Sequence, residues 1–214
     1  MANKTTKIQL SKPELSALLA AARKDGFDAG FESGTKSAFA IDEKTGLYTE
    51  RRFKEDLVHN INRFRRDNIT ATILFIDVNN MKGLNDTYGH DLVDGLLIKL
   101  AEVMKSSIRN TDNVYRRYMT GDEFMIILEH TETSGAQKFI GKLNLAIAND
   151  PELSQYGLSV SIGTSSIIDI VNAEGVKVIH DPNQLVTTMS EIADAAMRAN
   201  KMSHKQALVK AQRK

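Results

Sequence analysis

The stretch RRYMTGDEFMIIL, residues 116–128, sets two acids, Asp122 and Glu123, on a threonine–glycine turn and follows them at once with an apolar run. An unbroken run of this length beside a turn signal reads as a strand buried on both faces. With NVYRRYM, residues 113–119, in front of it, the stretch predicts a β-hairpin turning at Thr120 and Gly121. Another β-rich segment, TATILFID, residues 70–77, also ends in an acid, Asp77. If the two strands are neighbours, Asp77, Asp122 and Glu123 converge at one end of a sheet.

A cluster of carboxylates repels itself unless a cation joins it. A hard divalent ion such as Mg²⁺ takes oxygen ligands and is commonly held by one or two carboxylates together with substrate phosphates. Two such ions serve an in-line displacement at phosphorus. The alternative is that Asp122 and Glu123 are simply polar turn residues, and the acids alone leave that open. The loop after Asp77 adds a second feature, since the backbone N–H groups of residues 79–83 can face phosphate oxygens.

Outward from these strands the chain alternates helix and strand. Phe53, Leu57, Ile61 and Phe64 mark a helix running to about Arg66, after a turn at residues 42–49. Residues 79–91 read as a loop with one helical turn. Val93, Leu96, Leu97, Leu100, Val103 and Met104 mark an amphipathic helix from Leu92 to Ile108. Ala136, Phe139, Ile140, Leu143 and Ile147 mark another, from Ser134 to Asn149. GLSVSIGTSSII, residues 157–168, alternates as a strand, and AEGVKVIHDP, residues 173–182, reads as a small hairpin. A helix over 183–202 places Leu185, Met189, Ile192 and Ala196 inward, and QALVKA, residues 206–211, reads as a last strand. Hairpin-linked strands mixed with crossover helices predict an α/β sandwich on a largely antiparallel sheet.

Residues 1–40 are expected to form a helical extension or linker, with 41–214 as the main domain. SKPELSALLAAARKDG, residues 11–26, has a serine cap, an early proline and a leucine–alanine stripe. The glycines at 26, 30 and 34 suit either a close-packed helical face or a flexible linker. Aiding dimerisation or docking a partner is the role expected of this extension.

Bulk composition excludes several classes. With 42% apolar and 26% charged residues the chain reads as globular. It has no cysteine, which excludes disulfides and thiolate metal sites. A net charge of +1 predicts no general affinity for nucleic acid or for anionic membranes. No apolar run approaches the ~20 residues that span a bilayer, and the first residues lack an apolar leader core. A cytoplasmic location is the expectation.

Four blocks together resemble the GGDEF family, the diguanylate cyclases. DEKTGLYTERRF, residues 42–53, resembles the opening motif DxLTGLxNRRxF. FIDVNNMKGLNDTYGHDLVDGLL, residues 75–97, resembles DIDxFKxINDxxGHxxGDxxL. TGDEF, residues 120–124, stands for GGDEF, and IADAAMRANKMSHK, residues 192–205, resembles the closing ADxALYxAKxxGRN. The blocks occur in the family's order and cover nearly all of the chain beyond residue 40.

The resemblance implies a polymerase-palm-like fold and condensation of two GTP to cyclic di-GMP with release of pyrophosphate. It implies a homodimer in which each subunit holds one GTP, and Mg²⁺ as cofactor, with Mn²⁺ as a substitute. Carried over by position, Asp77, Asp122 and the backbone carbonyl of Val78 become metal ligands. Glu123 becomes a second acid near the metal and the attacking hydroxyl. Asn85 and Asp94 become guanine readers. Lys82, Lys201 and Lys205 become phosphate contacts, with the backbone of Asn80 and Met81. The chemistry of the residues agrees. A carboxylate accepts from guanine N1–H and the exocyclic amine together, a donor pair adenine lacks, and an amide both donates and accepts. Lysines supply mobile point charges. His90 is expected to serve the loop's structure.

The chain departs from the pattern at Thr120, where the first glycine of the signature would be. It departs also at Asn79, the second acid of DID, at Val93, the glycine before Asp94, and at His204, the glycine of GRN. Thr120 keeps open a nucleotide-binding sensor without turnover, and another cyclic dinucleotide is a third reading. RNTD, residues 109–112, has the letters of the family's product-inhibition site, RxxD, making Arg109 and Asp112 its candidates. Its spacing to the turn is about two residues longer than usual, which would shift it relative to the signature.

Overall fold

A computed structural model of the chain describes residues 40–118, 121–173 and 181–211. In chain order these form β1 (Tyr48–Thr49), α1 (Glu50–Asp67), β2 (Ala71–Val78), α2 (Met81–Tyr88), α3 (His90–Ser107) and β3 (Asn113–Arg116). Then come β4 (Glu123–Glu129), α4 (Thr133–Asn149), α5 (Pro151–Ser154), β5 (Val160–Ser166), α6 (Ile167–Asn172) and α7 (Pro182–Ala211). The strands make one sheet in the order β1-β3-β4-β2-β5. All pairings are antiparallel except β1 with β3. The predicted α/β class with a largely antiparallel sheet is the observed one.

Both faces of the sheet are covered, which explains the apolar runs. Every residue of β2 is buried. Leu74, Ile76 and Val78 alternate with Ile73 and Phe75, because successive side chains of a strand point to opposite faces. The first set packs with Phe124 and Ile126 of β4 and with Val93, Leu97, Leu100 and Leu143 of α3 and α4. The second packs with Met125 and Ile127 and with Phe53, Leu57, Met189 and Met197 of α1 and α7.

Several local expectations are corrected. Residues 81–88 are a full helix rather than a single turn. It starts directly after Asn80, which takes the left-handed conformation at φ 55° and turns the chain out of β2. The strand at 157–168 is shorter at both ends, and Ile167 and Ile168 already belong to α6. QALVKA is the end of α7, not a strand. No proline or glycine lies between Met202 and Ala211 to stop the helix, and Gln, Ala, Leu and Lys are good helix formers. On α7 the buried stripe is Leu185, Val186, Met189, Ala193 and Met197, whereas Ile192 is 43% exposed. The predicted helix at 11–26, Thr120 and most of the predicted hairpin at 173–182 lie outside the described residues. Among the described residues no helix is long and apolar enough to cross a membrane.

α7 crosses β5 in backbone contact at Gly163. A Cβ on Gly163 would stand 2.1 Å from the Ala193 carbonyl oxygen and 2.2 Å from the Met197 nitrogen. Backbone cannot yield as a side-chain tip can, so Gly163→Ala is expected to cost about 2–3 kcal/mol through overpacking. Gly141 of α4 has open space at its Cβ position, and Gly141→Ala is expected to stabilise by about 0.5–1 kcal/mol. Urea unfolding of the two variants beside the parent chain measures both signs.

Candidate active site

The site lies at the end of the sheet where β2 finishes and β4 begins. Asp77 pairs with Glu123 in the antiparallel register, and the Val78 N–H donates to the Asp122 carbonyl at 3.3 Å. The predicted meeting of the two acidic segments is therefore observed. By strand alternation Asp77 and Glu123 continue the row of Phe75 and Met125, on the face covered by α7.

That helix answers the acids with cations. Lys201 of α7 donates to Asp77 Oδ1. Arg117, in the hairpin connection, donates to Glu123 Oε2 and to Asp194 Oδ1 of α7, both at 2.7 Å. Its guanidinium lies 4.8 Å from the centroid of the Phe75 ring, close enough for a cation–π contact. Asp77 is only 6% exposed. Burial pushes its carboxyl above the ordinary aspartate value; the Lys201 hydrogen bond opposes the rise, and the charges of Asp122 and Asp194 add to it. Burial likewise raises Glu123, with Arg117 opposing and Asp77 and Asp194 adding. Arg117 itself rises, because Asp194 and Glu123 more than offset its burial.

Among the described residues no three His, Asp or Glu side chains form a complete metal cage. The donor set still fits a divalent cation of the Mg²⁺ kind. Such an ion needs only one or two carboxylates and completes its shell with phosphate and water oxygens. Acids raised by burial, with neighbouring negative charge adding to the rise, gain from such an ion.

The signature turn is also held from the opposite face. Arg116 is buried; it donates to Asp42 Oδ1 at 3.0 Å and to the Gly121 carbonyl at 2.9 Å. Asp42 in turn accepts from the Thr45 N–H at 2.9 Å and from the Thr45 hydroxyl at 2.6 Å. The first block of the sequence thus closes on the third through one buried ion pair.

After β2 the Asn79 amide ties the chain to the strand beside it. It donates to Ser159 Oγ at 3.0 Å and accepts from Ser161 Oγ at 2.7 Å, while its own N–H donates to the Ser159 carbonyl. The amide standing for the second acid of the motif is therefore a structural pin. Leu84 N–H is bonded to the Asn80 carbonyl, so the N–H groups of Met81, Lys82 and Gly83 precede the intrahelical bonding of α2. Lys82 and Asn85 sit on α2, and Asp94 on the adjoining α3, where its carboxylate receives Lys44 Nζ at 2.5 Å. Lys205 lies one turn beyond Lys201 on α7.

Arg109 and Asp112 are not part of this assembly. They precede β3, next to Glu129 at the far end of β4, about 20 Å from Glu123 at the rise of a strand. Asp112 is buried and accepts from the N–H groups of Arg109 and Glu129, both at 3.1 Å. With Arg116 paired to Phe124, residues 117–122 form the connection. Arg109, Asp112, Lys138, Phe139 and Lys142 line a cavity of about 590 Å³.

Sequence reasoning missed Arg117, Asp194 and Lys44. For Asp194 a signal existed, since it precedes Lys201 by seven positions and shares its helical face.

Comparison with known proteins decides the family. Residues 39–207 match the family described as diguanylate cyclase, GGDEF domain. The chain belongs to the GGDEF family. It is 29% identical over 137 residues to diguanylate cyclase DgcS of Shewanella oneidensis, covering 63% of this chain and 44% of that one. It is 30% identical over 131 residues to the probable diguanylate cyclase DgcC of Escherichia coli, covering 59% and 34%. The chain thus spans less than half the length of these curated relatives. Among solved structures, the coiled coil and GGDEF domain of DgcB from Caulobacter crescentus, in complex with c-di-GMP, superposes with a TM-score of 0.64 at 19% identity. That match covers 90% of this chain and 96% of the other, and at such low identity it speaks for the fold.

The buried pair beneath the GGDEF signature gives a pH-dependent expectation. Burial acts to raise the Asp42 carboxyl, but its hydrogen bonds from Thr45 and Arg116 prevail and hold it below the ordinary value. A depressed carboxylate contributes stability that is full above the unfolded-state value and is lost as pH falls through the folded one. Asp42→Asn is expected to cost about 3 kcal/mol at neutral pH by leaving Arg116 buried without its counter-charge. Urea midpoints followed downward from about pH 5 should fall less steeply in the variant than in the parent.

Proposed function

We propose that the chain is a diguanylate cyclase that condenses two GTP into cyclic di-GMP and two pyrophosphates. The observation that carries this reading is the pairing of Asp77 with Glu123 at one sheet end, with Lys201 of α7 drawn onto Asp77. The proposed assembly is a homodimer with one GTP per subunit, so that each bound nucleotide meets the other face to face. The cytoplasm, where GTP is found, is the proposed location.

The roles divide by position. Asp77, Asp122, Glu123 and the Val78 carbonyl would hold Mg²⁺, or Mn²⁺ in its place. When bound, the ion supplies charge neutralisation to the triphosphate and polarises the α-phosphate. Lys82, Lys201 and Lys205 bind phosphate oxygens as point charges, and the N-terminal N–H groups of α2, beside Asn80 and Met81, add directed donors. Asn85 and Asp94 bind guanine. The 3′-oxygen of one GTP forms a bond to the α-phosphorus of the other. The bond from that phosphorus to the bridging oxygen breaks, and pyrophosphate leaves. Glu123 takes the hydroxyl proton, and its burial-raised basicity suits it to that task.

Incubation of the full chain with GTP and Mg²⁺ is expected to yield a product with the mass of cyclic di-GMP, together with pyrophosphate. Asp122→Ala is expected to lower the rate at least 100-fold while leaving the melting temperature within a few degrees. Nucleotide binding without product would favour the sensor reading that Thr120 motivates. A mixed product formed with ATP would favour the third.

The cavity beside Arg109 supports a second proposal, product feedback. Asp112 shapes the bend through its two backbone hydrogen bonds, and Arg109, Lys138 and Lys142 offer three cations around the opening. Arg109→Ala is expected to leave initial rates unchanged and to weaken inhibition by added cyclic di-GMP about tenfold, as loss of one charge-assisted hydrogen bond implies. A parent chain whose initial rate does not respond to added product would remove this proposal.

A further inference from the structure

Lys44 reaches across the domain to the carboxylate assigned to the base. Its ammonium donates to Asp94 Oδ2 at 2.5 Å, fifty positions along the sequence. The backbone that carries it is fixed. The Asp42 N–H donates to the Leu47 carbonyl at 2.7 Å and the Gly46 N–H to the Asp42 carbonyl at 2.8 Å, closing the turn on itself. Arg116 anchors that turn from below through Asp42. Asp94 is equally well placed, since Val93, Leu96 and Leu97 on either side of it are buried and fix α3. Two charges held on two rigid supports meet in one place, although both side chains are more than a third exposed. Exposed ion pairs add little to folding, so the meeting calls for an account other than stability. Lys44 also stands where the opening motif of the family carries leucine.

The account lies in the edge of the base. Guanine presents an acceptor, O6, followed by two donors, N1–H and the N2 amine. A carboxylate serves the two donors and leaves O6 without a partner. An ammonium beside that carboxylate is a donor in the adjoining position. We propose that Lys44 is a specificity residue that donates to guanine O6 while Asp94 accepts from N1–H and the amine. This inference rests on the reading of Asp94 as the base reader. Adenine would set its amine against the ammonium and its bare N1 against the carboxylate. Hypoxanthine keeps O6 and N1–H and lacks only the amine.

The test is calorimetric binding of nucleotides that cannot react, the α,β-methylene analogues of GTP, ITP and ATP, to the full chain with Mg²⁺. Lys44→Met is expected to weaken the GTP and ITP analogues by the same factor, about tenfold, the weight of one charge-assisted hydrogen bond. Discrimination against the ATP analogue narrows by that factor, and Lys44→Arg restores most of it. The melting temperature of Lys44→Met should match the parent, because the pair is exposed. Unchanged or tighter binding of the GTP analogue by Lys44→Met overturns the proposal: the ammonium then only covers Asp94, or Asn85 serves O6 alone. Parent-like binding of the GTP analogue by Asp94→Ala would instead overturn the underlying assignment of Asp94, so the two failures are distinguishable.

Discussion

The antiparallel register of β2 on β4 is the constraint on which the site rests. Strands usually fix their register by setting an apolar face against a polar one, so that a slip of one residue exposes the core. That device is weak here. β2 and the centre of β4 are apolar on both faces, and a slipped pairing would bury almost as much. What distinguishes the native register is the polar end. Asp77 and Glu123 find Lys201 and Arg117 only when they lie side by side on the α7 face. A slip would leave a carboxylate buried without a counter-charge, which is far more costly than an altered apolar contact. The acids at the sheet end thus also specify its register.

The same end is tied from both layers. On one face Arg116 joins the Asp42 turn to the Gly121 carbonyl. On the other, Arg117 joins Glu123 to Asp194 of α7. These two arginines are adjacent in sequence and point to opposite faces, as neighbours continuing a strand must. A hairpin connection of residues 117–122 would ordinarily be among the more mobile parts of a domain. Here both its approach and its exit are held by guanidinium groups, each reaching two oxygens at once. Arginine suits this use, because its planar fork presents several donors in fixed geometry.

Much of this was legible in the sequence. Apolar spacing alone gave α1, α3 and α4, and the segments flanking TGDEF gave the antiparallel pair, although β3 ends at Arg116 and does not run on through Arg117 and Tyr118. The convergence of Asp77 with Glu123 followed from two strands that both place an acid at the same end. Other features depended on tertiary placement. α2 has one buried residue, Leu84, and its glycine, asparagine and aspartate are poor helix formers, so periodicity was silent. The C-terminal end of α7 alternates weakly enough to pass for a strand, and only the unbroken helix before it decides. Ile192 is more apolar than Ala193, yet Ala193 is buried because α7 meets β5 backbone to backbone at Gly163 and only a small residue fits. Arg117 finds its acids six and 77 positions away and Lys44 finds its own fifty away, and no local pattern announces such partners.

The cations at this end bear on how the site is kept ready. Burial raises the Asp77 and Glu123 carboxyls, and the negative charge of Asp194 adds to both; without compensation these acids would push the sheet end and α7 apart. Lys201 and Arg117 offset that repulsion in the free protein and seat α7 on β2 by the same contacts. They differ in how firmly they are bound to the task. Arg117 is mostly buried, stacked on Phe75 and committed to two acids, which makes it a fixed part of the frame. Lys201 is 41% exposed, on a flexible four-carbon stem, and has Asp77 as its partner. It can follow charge as the balance at Asp77 changes, whereas the arginine holds the strand and helix in place. One end of the sheet thus carries a fixed cation and a mobile one, the first holding strand and helix together and the second free to move without loosening them.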